Sequence, residues 1–331
     1  MTPRVAVIGA GHWGRNLMRN FDALGALTAF YDDDTATRAR EAATYPNARA
    51  ASSLDALLAD PAIDAVVIAT PAATHSALGR RALEAGKHTF VEKPLCLNAP
   101  DAEALGRLAD RLDRTLMVGH LLLFHPAFVA LKRFLAEGHI GELRYIYSNR
   151  ASLGRIRREG GALWEFAPHD VSMILGLTGA MPERVTCVGG AWLQAEVADL
   201  TLTHLAFPSG VQAHIFVSWL HPYKDHRMVV IGANGMVVFD DVASGPQKLL
   251  HYPHVVDNTG DIPAVTKAAA IPISYDSDEP LARECRHFLD CVSNRKTPLS
   301  DWREGHRVLA VLQACQRALN SGGAAAIEAL P

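Results

Sequence analysis

The feature that most restricts the fold lies in the first two dozen residues. A mostly apolar run, Arg4 to Ile8, leads into Gly9-Ala10-Gly11-His12-Trp13-Gly14, and Asn16 to Leu24 follows with apolar residues at helical spacing. An apolar strand with little alternation is one buried on both faces, as in a parallel sheet. Gly9 permits a tight turn, Gly11 lets the backbone approach a ligand closely, and Gly14 lets helix and strand pack together. The helix entered this way offers free N–H groups suited to phosphate. Glycine spacing alone is weak, but between a strand and a helix in a βαβ-sized unit it reads as a dinucleotide turn.

The alternation continues. Leu27 to Tyr31 reads as a strand ending in Asp32-Asp33-Asp34, followed by helices through Arg38 to Thr44 and Ser53 to Leu58. Ala65 to Ala69 is a strand closed by Thr70-Pro71, and Thr74 to Ala85 is a helix stopped by Gly86. His88 to Val91, Pro100 to Leu112 and Leu116 to Val118 complete the pattern as strand, helix and strand. This predicts an α/β fold with a doubly wound parallel Rossmann sheet over residues 1–120. From 121 to 331 the texture differs. After a helix over Pro126 to Ala136, strand-like runs follow at Arg144–Arg150, Arg184–Val188, Asp199–Phe207, Gln212–Trp219 and Arg227–Gly232. Turns at Ser209-Gly210 and Asn234-Gly235 point to a large, mostly antiparallel open sheet in a second α/β domain. Residues 241–275 read as irregular. Glu279–Val292 and Trp302–Asn320 read as closing helices able to pack back on the first domain.

Composition narrows the partners. With 32 basic and 35 acidic residues the net charge is -3, which gives no case for nucleic acid or an anionic membrane. No apolar run approaches a membrane span, and a strand by residue 4 leaves no room for a leader. The five cysteines, Cys96, Cys187, Cys285, Cys291 and Cys315, show no CxxC spacing and read as reduced thiols of a cytoplasmic protein. Of the 15 histidines, His120 and His125 lie close together, but no HExxH, HxH or His/Cys cluster accompanies them, so no metal is expected; His125 could line a substrate pocket, though it reads rather as core packing or surface.

Asp32 lies 18 residues after Gly14, at the end of the second strand. A carboxylate there can accept hydrogen bonds from the adenosine ribose and would repel a 2′-phosphate. No Arg or Lys follows until Arg38, so NAD is favoured over NADP. The alternative is that Asp32 caps the next helix, a task open also to Asp33 or Asp34.

With Glu92-Lys93-Pro94 the sequence resembles the Gfo/Idh/MocA oxidoreductases, named for glucose–fructose oxidoreductase and inositol dehydrogenase. The matches are the opening glycine turn, Ala69-Thr70-Pro71 with His75, Val91-Glu92-Lys93-Pro94, and Trp164-Glu165-Phe166-Ala167-Pro168-His169-Asp170. The resemblance implies cofactor binding by Gly9, Gly11, His12, Trp13, Gly14, Asp32, Thr70, Pro71, His75, Glu92 and Lys93. It implies catalysis by Lys93 and His169, with Glu165 where an Asp usually stands four residues before the histidine. It also implies a homodimer or homotetramer built through the open sheet.

The chemistry agrees. Oxidising a secondary alcohol removes a hydroxyl proton as hydride leaves the same carbon, and a histidine suits that proton near neutrality. A lysine ammonium can hydrogen-bond the same oxygen and stabilise developing alkoxide charge. Residues 165 and 169 share one face if their segment is helical. The stretch from Asn149 and Arg150 through Arg155, Arg157 and Arg158 resembles a branch acting on nucleotide-linked sugars, including C3 oxidation of UDP-N-acetylglucosamine. Guanidinium groups there, with His169 and Lys93, would hold a diphosphate-bearing substrate. A dehydrogenase of a free sugar, inositol or related polyol is the alternative. A non-catalytic dinucleotide-binding regulatory protein is a third reading, against which intact Lys93 and His169 count.

Overall fold

All four side chains of β1 (Val5–Ile8) are buried, as an apolar strand at the centre of a sheet requires. In the computed structural model, which describes residues 2–154, 156 and 160–326, β1 is flanked by β2 (Leu27–Tyr31) and β4 (Ala65–Ile68). With β3 (Arg49–Ala50), β5 (His88–Glu92) and β6 (Leu116–Gly119) they form a parallel sheet of six strands in the order β3-β2-β1-β4-β5-β6. The crossovers carry α1 (His12–Ala23), α2 (Thr35–Thr44), α3 (Leu54–Leu58), α4 (His75–Glu84) and α5 (Ala99–Arg111). The order runs outward from β1 to β3 and then resumes on its other side at β4. The switch point therefore lies at the carboxyl ends of β1 and β4, where open α/β sheets bind ligands.

This sheet belongs to a unit made of Met1–Phe124 and Asp278–Leu309; the other unit comprises His125–Ser277 and Ala310–Pro331. The second unit opens with α6 (Pro126–Ala136), capped by His125. It contains β7 (Leu143–Ala151), α7 (Gly161–Thr178), β8 (Arg184–Gly190), β9 (Leu200–Ala206), β10 (Gln212–Ser218), β11 (Asp225–Gly232), β12 (Gly235–Asp240) and β13 (Leu249–Tyr252). A separate hairpin of β14 (Val255–Asp257) and β15 (Ala264–Thr266) precedes β16 (Ile271–Pro272). The sheet has nine strands in the order β16-β13-β12-β11-β7-β10-β9-β8-β17, where β17 is Ala324–Ala326. Among the described residues only the β7–β10 pair of this sheet is parallel, so the sheet is mostly antiparallel.

Two departures from the sequence reading have simple causes. Residues 241–275 are not irregular throughout, because β13 pairs with β12 and β16. These strands are only four and two residues long, too short for alternation to register. The alanine-rich tail contributes β17 beside β8, and a run of identical side chains carries no pattern to read.

The closing helices are α8 (Pro280–Asn294) and α9 (Trp302–Ser321). Phe288 of α8 lies 5.6 Å from Phe90 and 6.4 Å from Phe21 between ring centres. Before α9, Ser300 adds to the β6 edge: Val118 N–H donates to its carbonyl at 2.8 Å and its hydroxyl donates to the Val118 carbonyl at 2.7 Å. All five cysteines are buried and free of disulfides. Among the described residues, no helix is long and apolar enough to cross a membrane.

Candidate active site

The glycine turn fits a dinucleotide. Gly9 has φ +91°, and a Cβ there would meet the Ala69 carbonyl oxygen at 2.8 Å. A Cβ on Gly14 would fall 1.8 Å from the Gly9 carbonyl oxygen. Gly11 differs, because a Cβ on it would project into open space, the side left for a pyrophosphate. The first turn of α1 carries no side-chain cap and no acidic residue, so its N–H groups stay available to an anion. His12 is exposed, and Trp13 is partly exposed.

Asp32 does not cap α2. Asp34 does, accepting from the Ala36 and Thr37 N–H groups. The Asp32 carboxylate instead accepts from Ala10 N–H at 2.8 Å and Asp34 N–H at 2.9 Å, which fixes it at the end of β2 beside the glycine turn. Arg38 donates to the Asp32 and Asp33 carbonyls at 2.5 and 3.3 Å and lies over the Tyr31 ring. The nearest cation downstream of Asp32 is thus tied to backbone.

Thr70 and Pro71 form the turn after β4, with the Thr70 and Thr74 hydroxyls 2.7 Å apart. His75 is buried rather than open to a ligand. Its Nδ1 lies 2.7 Å from the Pro94 carbonyl and its Nε2 2.9 Å from the Thr70 carbonyl, so the single N–H of a neutral ring ties it to one of these two loops. Burial lowers its pKa. Lys93, half-buried, follows β5 directly and joins Pro94 through a cis peptide. Glu92 accepts from Trp13 Nε1–H at 2.5 Å and from Lys93 N–H at 3.2 Å. Burial pushes Glu92 up to about 7 despite Trp13 and Lys93. Gly119 makes room for it: a Cβ there would sit 2.9 Å from the Glu92 carboxyl.

In the second unit, Glu165 and His169 both lie in α7, four residues apart on one face, and both are half-buried. Gly160 and Gly161, at φ +82° and +64°, turn the chain into this helix, and Ala162 N–H donates to the Ala198 carbonyl at 2.8 Å. Asp170, next to His169, is fully buried. It accepts from Ser148 Oγ–H at 2.5 Å, Arg150 Nε–H at 2.8 Å and a second Arg150 N–H at 3.4 Å, pinning α7 to β7.

That bond corrects one expectation. Arg150 is buried and committed to Asp170, with a further contact to His226 Nδ1 at 3.1 Å, so it is an internal brace rather than an open phosphate clamp. Asn149 donates to Asp225 at 3.2 Å. Arg155, Arg157 and Arg158 lie outside the described residues. His125 is core, its Nδ1 accepting from Ala127 N–H and its Nε2 3.6 Å from Asp241. Sequence reasoning missed Glu284 and Glu304 altogether, and weighed His120 only as a metal ligand. Its place directly after a strand was the signal for another role.

A turn that accommodates a pyrophosphate, with an oriented carboxylate at the second strand end, defines an NAD(P)-binding oxidoreductase fold. The family pattern described as "Oxidoreductase family, NAD-binding Rossmann fold" matches residues 3–120, and that of the "GFO/IDH/MocA C-terminal domain" matches 128–238. The chain belongs to this GFO/IDH/MocA family of oxidoreductases. It is 30% identical over 308 residues to UDP-N-acetylglucosamine 3-dehydrogenase of Acidithiobacillus ferrooxidans, covering 93% of this chain and 94% of the relative. A solved structure of GnnA, the UDP-N-acetylglucosamine 3-dehydrogenase from that organism, superposes with a TM-score of 0.84 at 29% identity, covering 96% and 97% of the two chains. Similarity to scyllo-inositol 2-dehydrogenase (NAD(+)) of Bacillus subtilis is 29% identity over 317 residues, 89% and 88% of the two chains.

Proposed function

We propose that the protein is an NAD-dependent dehydrogenase that oxidises a secondary hydroxyl, at C3, of a nucleotide-linked sugar such as UDP-N-acetylglucosamine. The observation that carries this reading is the end-to-end similarity to a UDP-N-acetylglucosamine 3-dehydrogenase. Bound NAD supplies the hydride acceptor. Asp32, oriented by two N–H groups, holds the adenosine ribose and disfavours a 2′-phosphate. The Lys93 ammonium donates to the substrate oxygen and stabilises the alkoxide as charge develops. His169 accepts the hydroxyl proton, with Glu165 one helical turn earlier orienting the imidazole or the substrate. Arg155, Arg157 and Arg158 hold the diphosphate, a task from which Arg150 is withdrawn by Asp170. Val188 and Leu202 are exposed and Tyr147 and Phe216 half-buried on the neighbouring strands β8, β9, β7 and β10, and these apolar side chains support self-association through the open sheet into a homodimer or homotetramer.

The second reading, a dehydrogenase of inositol or a free polyol, is favoured by the similarity to the inositol enzyme. NADH absorbance is followed with NAD and UDP-N-acetylglucosamine, with a ketosugar-consuming coupling step, and in parallel with myo- and scyllo-inositol. Turnover of the sugar nucleotide in preference to the polyols is expected. Turnover of polyols alone would overturn the substrate assignment, and dinucleotide binding without turnover of any substrate would favour a regulatory protein.

A further inference from the structure

The register of the first sheet sets Glu92 opposite Gly119, so the residues after each, Lys93 and His120, leave adjacent strand ends side by side. His120 is buried, and its Nε2 lies 3.4 Å from Glu304 Oε2. Glu304 reaches this place because Ser300 is hydrogen-bonded to the β6 edge and Asp301 caps the next turn, accepting from Glu304 N–H at 2.9 Å. Among the described residues, neither Glu304 oxygen has a hydrogen-bond partner and neither does His120 Nδ1, so the imidazole is the group nearest to satisfying the acid. An acid and an imidazole buried together are least costly as two neutral groups, the acid O–H turned onto one ring nitrogen.

We propose that His120 and Glu304 are positioning residues for Lys93: Glu304, as a protonated acid, donates to His120 Nε2 and fixes the neutral imidazole tautomer with its proton on Nδ1. A second cation is thereby kept from the strand end where the Lys93 ammonium must act. This rests on the dehydrogenase reading of Lys93. The charge environment agrees. Burial, and then the Lys93 charge, lower His120 to about 3, while burial raises Glu304 to about 8 against the pull of Arg307 and with the push of Asp301. Lys93, Asp301 and Arg307 are the charged groups acting on the pair. Above that range a buried carboxylate appears beside the imidazole and competes for the lysine charge.

Two measurements separate this proposal from the reaction itself. In the full-length protein labelled with 15N-histidine, His120 is assigned by its disappearance in His120→Gln. At neutral pH its signals should report a neutral ring protonated on Nδ1; an imidazolium, or a proton on Nε2, overturns the proposal whatever the substrate proves to be. In the oxidation assay, Glu304→Ala should lower kcat about tenfold, as for one lost hydrogen bond, with the NAD KM changed less than about twofold. Glu304→Gln still offers an N–H to Nε2 and should recover most of that loss while abolishing a fall in kcat above about pH 8. A Glu304→Gln enzyme as impaired as Glu304→Ala would mean that an ionised carboxylate is required. Variants that melt earlier with kcat and pH profile unmoved would mean a merely structural pair. Either result overturns the proposal.

Discussion

Glu284 and Glu304 in the first unit and Asp170 in the second are all buried carboxyl groups, yet they meet their surroundings differently. Among the described residues, no oxygen of Glu284 or Glu304 has a hydrogen-bond partner. Burial first, and then the charge of Glu92, push Glu284 well above the usual carboxylate range. Asp170 instead holds a serine hydroxyl and two N–H groups of Arg150. Nearby, burial alone would raise Asp241, but Arg150, Lys248, His125 and His226 together hold it below its ordinary value. Glu284 and Glu304 are accommodated by staying protonated, and Asp170 and Asp241 by being paired. Groups kept neutral by a proton respond to pH, whereas groups kept by a partner respond to mutation.

Three perturbations test that contrast. Lys93→Met should lower kcat by about a thousandfold, near 4 kcal/mol of transition-state stabilisation, with little change in thermal melting. Steady-state kinetics and a melting curve on the same sample would show whether the residue serves chemistry or stability. Asp170→Asn should leave the Arg150 charge poorly compensated and cost about 3 kcal/mol of stability, read as an earlier melting transition at every pH from 6 to 8. A loss confined to part of that range would mean the second unit is not governed by pairing. Glu92→Gln should show the opposite behaviour. Because the folded value near 7 lies above the ordinary 4.5, the protonated form's contribution is complete below 4.5 and is lost as pH rises through 7. The variant should therefore gain on the parent between those values, by about 3 kcal/mol, and a gap independent of pH would remove Glu92 from the class of protonated acids.

Much of the first unit was legible because its signals are local. The glycine turn, the apolar strand before it and the helix after it are contiguous, and Gly9 and Gly14 answer to contacts within one βα link or its neighbour, whereas Gly11 faces open space. Asp32 was legible as a residue type at a spacing, but only the structure separates it from Asp34, which takes the capping task. Arg150 misled for the complementary reason. An arginine in a strand-like run reads as solvent-facing, whereas its partner Asp170 lies twenty positions away and meets it only when α7 packs on β7. His120 and Glu304 were hidden in the same way, since 184 residues separate them and no pattern links the two. The edge strands β13 and β16 were invisible through brevity rather than distance.

The contact at Gly14 reaches further than the turn itself. A single methyl group there would overlap the Gly9 carbonyl, and the rigid body available to yield is α1. That helix also carries Trp13, bonded to Glu92, and Arg19, paired with Glu279 before α8. A shift of α1 would therefore travel by Trp13 to the residue before Lys93 and by Arg19 to the helix bearing Glu284. The spacing of the first unit's ionisable groups is thus gauged from an atom the chain lacks, and enlarging residue 14 would detune several distant side chains at once.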